Sequence, residues 1–219
     1  MIDLTADCGR CAALCCLALH LDAGSRFAID KPAGAPCPNL DRTGQTHGCT
    51  IHGDLTARGF PGCVAYDCAG AGQRITQELY AGKSWRTEPA LAAPMMESFR
   101  HMRAIHEMLQ MLDAAEALPL GAADRAALRE HRDHLARPMT PETAAAAAGD
   151  LPELRALLRG LAGALGSAAR AAAHLQPAPR ISTSWEKTAR SPEHGHYSAR
   201  HRTPPAGELP GRPDRRSGR

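Results

Sequence analysis

A mainly α fold, with a small irregular cysteine-rich metal-binding module in front of a helical bundle and a disordered tail behind it, is what this sequence predicts, on three observations. All eight cysteines fall in the first 68 of 219 residues. From about Pro89, apolar residues recur at three- and four-residue steps, the signature of helices with one buried stripe. After Gln176 that periodicity stops, and residues 177–219 hold seven of the 17 prolines with almost no aliphatics. The organisation read from these shifts is a cysteine module over 1–88, a helical region over 89–176 and a basic tail over 177–219.

The module comes first. Aromatic residues make up 4% of the chain, which argues against a large conventional core because aromatics supply much of the area buried in one. A short loop-rich segment that cannot bury enough apolar surface needs a metal or a covalent staple. Glycine and proline punctuation from Gly34 to Gly62 predicts short elements joined by turns. The N-terminus carries Asp3 and Asp7 and no basic segment ahead of an apolar run, so it does not read as a secretory signal, and the apolar run from Ala12 to Leu19 is too short to span a bilayer. The expected location is the cytoplasm, where closely spaced cysteines serve more often as metal or redox ligands than as disulfides.

Eight thiols in this pattern point to metal chelation, with zinc and an iron–sulfur cluster both left open as the cofactor. Cys8, Cys11 and Cys15 stand at i, i+3 and i+7, so they share one face if the segment is helical. If Cys8–Cys11 is instead a turn, it forms a two-residue knuckle of the kind that zinc sites use. Cys16 projects about 100° away from Cys15 on a helix and must serve a second site or the core. Cys37, between Pro36 and Pro38, is held extended. Cys49 and His52 form a second pair with C-x2-[CH] spacing, Phe60-Pro61-Gly62-Cys63 reads as a type II turn that presents Cys63, and Cys68 follows five residues later. The total suffices for two four-coordinate sites or for one cluster with spare thiols. Arg10, Arg26, Lys31 and Arg58 lie near enough in sequence to offset the charge of thiolates.

The helical region is read as three to five antiparallel helices. Met95, Phe99, Met102, Ile105, Leu109 and Leu112 form the stripe of the first, and Ala122 to Ala136 the second. Thr140-Pro141-Glu142 opens a short alanine helix closed by Gly149, and Asp150-Leu151-Pro152-Glu153 opens another running to about His174. The histidines of this region, His101, His106, His131 and His134, are read as surface or partly buried side chains rather than ligands. The tail carries nine Lys/Arg against four Asp/Glu, and without interleaved aromatics it is read as solvated, not as a nucleic-acid interface. No nucleophile elbow, catalytic triad order or carboxylate pair stands out, so the chain is read as non-enzymatic rather than as an enzyme. Two rivals remain: a metalloenzyme or redox protein using an open zinc site or a cluster, and an adaptor that binds a protein partner through the stripe from Met95 to Leu112.

The ordered string Cys8-x2-Cys11-x3-Cys15-Cys16, Cys37-x2-Leu40, Cys49-x-Ile51-His52 and Arg58-Gly59-Phe60-Pro61-Gly62-Cys63-x4-Cys68 resembles the zinc- or iron-chelating cysteine-cluster domain family. The first gap is one residue longer here, and His52 stands where that family has Tyr. Phe27-Ala28-Ile29-Asp30-Lys31-Pro32-Ala33-Gly34, Tyr66-Asp67-Cys68, Gly70-Ala71-Gly72-Gln73 and Trp85-Arg86 are similar to the N-terminal region of actinobacterial-type pentapeptide repeat proteins. This resemblance runs to about residue 175. It implies metal binding at Cys8, Cys11, Cys15, Cys16, Cys37, Cys49, Cys63 and Cys68, with His52 as a ninth candidate. In that family A-[DN]-L-x-x repeats follow and build a β-solenoid. The Arg/Pro/Ser/His-rich tail that stands there instead is expected to be a truncated or frame-shifted remnant.

Overall fold

The computed structural model describes residues 2–41 and 48–164. Its centre is a 25-residue helix, here α4 (Ala92–Glu116), entered through a 3-10 turn at Pro89–Leu91. Met95, Met102, Ile105, Met108, Leu109 and Leu112 on α4 are fully buried. Burying each such side chain stabilises the fold by roughly 1.5–3 kcal/mol relative to exposure. The stripe therefore faces the protein's own interior, which removes it as the partner-binding surface of the adaptor reading.

Two helices close over α4 from the C-terminal side. The first, here α5 (Ala122–Ala136), has the bounds that its apolar spacing predicts and contributes Leu128 and Leu135 to the core. The other, here α6 (Pro141–Ala164), starts as expected: Thr140 Oγ1 accepts from the Thr143 backbone N–H at 3.3 Å while Thr143 Oγ1 accepts from Thr140 N–H at 2.9 Å. It does not stop at Gly149. Two helices were expected, and one continuous helix passes through Gly149 and Pro152. The reason lies on its other face, where Ala144, Ala147, Leu151 and Leu154 recur at steps of three and four and are all buried. That unbroken stripe against α4 outweighs a cost of about 1 kcal/mol for glycine and about 3 kcal/mol for proline. The predicted extension to His174 and the tail over 177–219 lie outside the described residues.

The N-terminal part holds three short helices: α1 (Leu14–Ala18), α2 (Pro61–Ala65) and α3 (Ala71–Arg74), the last continuing as a π-helical turn over Ile75–Leu79. Among the described residues, β-pairing is confined to two isolated antiparallel bridges, Leu21 with Lys31 and Leu40 with Cys49. Ala12, Leu14, Leu19, Leu21, Phe27, Phe60, Ala71 and Ile75 join the α4–α6 side chains in one apolar cluster. The change of composition near residue 88 is thus not a break in packing. A small cysteine-rich segment with few aromatics obtains its core by leaning on the helices that follow it. No helix among the described residues is long and apolar enough to cross a membrane.

Candidate metal centre

The α3 segment and the turn after it act as a splint for the first cysteines. Gln73 accepts from Asp7 N–H at 2.8 Å and donates to Thr5 O at 2.7 Å. Thr76 Oγ1 accepts from Ala12 N–H at 3.0 Å, Gln77 donates to Arg10 O at 2.8 Å, and the Trp85 indole donates to Ala12 O at 2.7 Å. These bonds hold Cys8–Arg10 as one 3-10 turn followed by a break, so the knuckle form is adopted and not a single long helix. The break is Ala13, with φ of 56°, and Ala69 directly after Cys68 has φ of 50°. Non-glycine residues in this region are strained, and two such positions flank cysteines.

A glycine clears the space between two of these thiols. A Cβ on Gly72 would lie 2.5 Å from Cys11 Sγ and 3.9 Å from Cys68 Sγ, so both sulfurs close on a surface that only glycine offers. Replacing Gly72 with alanine should destabilise the protein by about 1–3 kcal/mol through overpacking and push Cys11 away from Cys68. Thermal melting together with the alkylation rate of Cys11 checks this, and unchanged values of both would contradict it.

None of the eight thiols is joined in a disulfide. Burial first, and then the neighbouring thiols of Cys68 and Cys16, raises the Cys8 thiol pKa. Burial pushes Cys11 up to about 11, with Cys68 and Cys8 adding to the effect. Cys15 is raised well above the usual thiol value, first by its hydrogen bond to Cys16, then by burial and by Cys16, Cys11 and Cys8. Cys8 and Cys11 thus lie within electrostatic reach of Cys68, and Cys16 acts on both Cys8 and Cys15.

Cys37, Cys49 and Cys63 also lie within reach of Cys16. Cys37 N–H donates to Cys16 O at 2.9 Å, Leu40 N–H to Cys37 O at 3.0 Å, and Leu40 pairs with Cys49, which laces three of these cysteines together through the backbone. Burial raises Cys37, with Cys16 adding to it, and raises Cys49, with Cys16 and Cys37 adding to it. Cys63 is pushed up to about 11 by burial and then by Cys16, Cys37 and Cys49. Cys16 itself is lowered, first by the hydrogen bond from Cys15 and then, against the cost of burial, by Lys31 and Arg86. Cys15 and Cys16, consecutive on α1, are hydrogen-bonded to each other, so their thiols stay in contact despite their angular offset.

Cys63 reaches its place differently from expectation. Phe60–Cys63 is not a type II turn: Pro61 occupies the first position of α2, where its fixed φ and missing N–H cost nothing. Gly62 is needed for closeness rather than for a left-handed φ, since a Cβ there would meet the Phe27 ring at 2.4 Å. Its N–H donates to Arg26 O at 3.0 Å, fixing α2 against the preceding loop. His52 sits exposed at the start of the 3-10 turn His52–Asp54. Among the described residues, no group of three or more Cys, His, Asp or Glu side chains is drawn together tightly enough to hold a metal ion as it stands.

Of three polar residues near the thiols, Lys31 is expected from the sequence as a charge partner, whereas Arg86 and Tyr66 carry no sequence signal of their roles. Lys31 is only 3% exposed and donates to the carbonyls of Leu17, Pro32 and Ala35 at 3.3, 3.1 and 2.8 Å. Arg86 donates to Asp41 O. Tyr66 Oη is buried without a hydrogen-bond partner; the Arg103 guanidinium lies 5.7 Å from the ring centre but does not reach bonding geometry. Burial raises the Tyr66 phenol strongly, and the nearby Cys15 and Cys68 thiols add to this. A hydroxyl of this kind lacks a partner that a thiolate sulfur could provide.

The helical region is tied to the turn after Cys68 by a polar hub. His106, with no exposed surface, makes an Nδ1 hydrogen bond to Ala69 O, and its Nε2 lies 3.3 Å from Arg74 Nη1. Arg74, also buried, donates to Leu135 O at 3.1 Å and to Arg137 O, and pairs with Glu78 at 3.2 Å. Because Arg74 can only donate, His106 Nε2 accepts and Nδ1 carries the proton. Of the other histidines, His101 lies 3.3 Å from Glu97, and His131 and His134 line an open groove between α5 and α6.

Fold and site together define a mainly helical protein whose first cysteines are held against a helical splint. Over 127 residues, 58% of the chain, it is 44% identical to YybG of Bacillus subtilis (strain 168), an uncharacterized protein. That match covers 44% of YybG, so the chain spans less than half the length of this curated relative. No family model and no solved structure matches the chain. The likeness to cysteine-cluster and pentapeptide-repeat proteins therefore rests on its motifs.

Proposed function

We propose that the chain is a metal-binding protein of the pentapeptide-repeat-associated cysteine-cluster group, in which zinc or an iron–sulfur centre held by cysteine thiolates has a structural or accessory role. The observation that carries this reading is the approach of Cys11 and Cys68 over Gly72, within a set of eight thiols of which none is joined in a disulfide. Buried thiols side by side cannot ionise together, because each new negative charge raises the pKa of the next. A bound cation would supply the missing positive charge and hold the strands of turn together. Binding should accordingly release protons and weaken as the pH falls.

The donor chemistry fits such a group. Thiolate sulfur suits zinc and iron–sulfur centres, and eight thiols are enough for four-coordination. Around them the chain's own residues do the positioning: Gln73, Thr76 and Trp85 hold the Cys8–Cys15 segment, and His106 holds the turn after Cys68. Nothing in the site presents a nucleophile with an oriented base, so a structural role is preferred over catalysis. Metal analysis, sulfide analysis and a visible spectrum of anaerobically purified full-length protein test the reading. Colourless protein with stoichiometric zinc, or brown protein with iron and sulfide, supports it. Protein carrying neither metal, and unable to take one up after reduction, would sink it.

A further inference from the structure

We infer that Cys15 and Cys16 form a two-coordinate site for a soft monovalent cation, copper(I), with the Lys31 ammonium as its buried counter-charge. Such a site needs two sulfurs rather than four and so does not depend on the zinc or iron–sulfur reading. The two cysteines are consecutive on α1, and a hydrogen bond between their thiols keeps the sulfurs in contact. Leu14 and Leu17, both fully buried, fix α1 on either side of the pair, and the Cys16 carbonyl accepts from Cys37 N–H at 2.9 Å. Both cysteines are only half-buried, so neither is sealed from an exchanging ligand. Among the described residues, no third Cys, His, Asp or Glu side chain closes with this pair into a group that could hold a metal ion. Zinc, which takes four ligands, therefore finds no complete set there. Copper(I) is a soft cation that thiolate sulfur selects, and two sulfurs on opposite sides satisfy it. It would take the place of the hydrogen in the S–H···S contact.

Lys31 fixes the charge of the ion. Its side chain is buried, and Nζ sits on the carbonyls of Pro32, Ala35 and Leu17, the last being the residue after Cys16. Carbonyls carry no net charge. The ionisable neighbours that act on Lys31 are Cys37, Cys16 and Cys15, with no carboxylate among them. A buried ammonium without an anion is costly. Two thiolates around a monovalent cation carry a net charge of −1, which one ammonium cancels. Two thiolates around zinc carry none and would leave Lys31 uncompensated. The pair of sulfurs and the single ammonium thus agree on a monovalent ion. Binding is ligand exchange without redox: two S–Cu bonds form, two thiol protons leave to solvent, and copper stays monovalent.

The test adds one equivalent of copper(I) alone to reduced, metal-free full-length protein under anaerobic conditions, with a chromogenic copper(I) chelator as competitor. The protein should hold the equivalent against the chelator, and X-ray absorption should show copper with two sulfur neighbours. Cys15→Ser and Cys16→Ser should each lose the ion to the chelator, while Cys63→Ser, which removes an exposed thiol of the same segment, should keep it. Lys31→Gln retains donors for the three carbonyls but not the charge, and should weaken binding by about tenfold; Lys31→Arg should restore it. Copper stripped from the wild type, copper with three or four sulfur neighbours, or retention in both Cys15→Ser and Cys16→Ser would overturn the inference. Equal affinity in Lys31→Gln and the wild type would overturn it too, because Lys31 would then not match the charge of the ion. Zinc or cluster uptake is a separate readout: its failure leaves the copper result standing, and failure of copper binding leaves the zinc or cluster reading standing.

Discussion

Acidification from pH 7 towards pH 4 is expected to cost the fold about 3 kcal/mol through His106 alone. Burial lowers the His106 imidazole from 6.5 to about 4, with the Arg74 guanidinium adding to the depression and the Ala69 carbonyl opposing it. The folded protein thus holds the ring neutral, whereas the unfolded chain protonates it below pH 6.5. Stability from this group is complete above about pH 6.5 and is lost as the pH falls through the folded-state value near 4. The physical reason is the hub: a protonated Nε2 would point a second donor at Arg74, which has no acceptor to offer. His106→Asn keeps a donor for Ala69 O and removes the titration. Denaturant unfolding at several pH values should give a shallower pH dependence for the variant than for the wild type. Equal slopes would show that His106 is not the sensor.

The same hub explains why the effect should reach the cysteines. Ala69 O, the acceptor for His106, belongs to the strained residue directly after Cys68. Loosening it frees Cys68 from Gly72 and Cys11, so alkylation of Cys68 should speed up over the same pH interval, after correction for its ordinary thiol chemistry.

Much of the helical architecture was legible from spacing. The α4 stripe and both ends of α5 follow from apolar residues at steps of three and four, which depend on local geometry. The continuity of α6 was not legible, because Gly149 and Pro152 are local stop signals, while the force that overrides them is a long-range contact with α4. Pro61-Gly62 misled in a similar way: Gly62 is there to admit the Phe27 ring, a partner 35 residues earlier in the sequence. In the site, the cysteines announced themselves by number and spacing. Of the four nearby cations read from the sequence, Lys31 is the one placed among the thiols, and it is joined by Arg86, which is far from them in sequence. Neither Arg86, Tyr66 nor the Arg74–His106 pair carries a pattern of its own, since each role arises only when distant segments meet.

Withdrawal of the proposed metal is expected to have the largest effect of all. A thiolate-bound ion that cross-links cysteines between Cys8 and Cys68 would tie together segments with little core of their own. Its removal should cost about 5 kcal/mol or more and lower the thermal midpoint by about 10 °C or more. The loss should be local. Amide exchange should accelerate over residues 8–68, while α4 and α6, whose contacts are apolar, stay protected. Uniform loss of protection would indicate instead that the helices cannot stand without the module.

Thiolate metal binding is tested most directly by counting reactive thiols in native, anaerobically purified full-length protein before and after a chelator is added. All eight cysteines should become reactive only after chelation, with few or none reactive before it. Eight thiols that react at once in the untreated native protein would contradict metal ligation, and thiols that appear only after a reductant would assign the cysteines to disulfides.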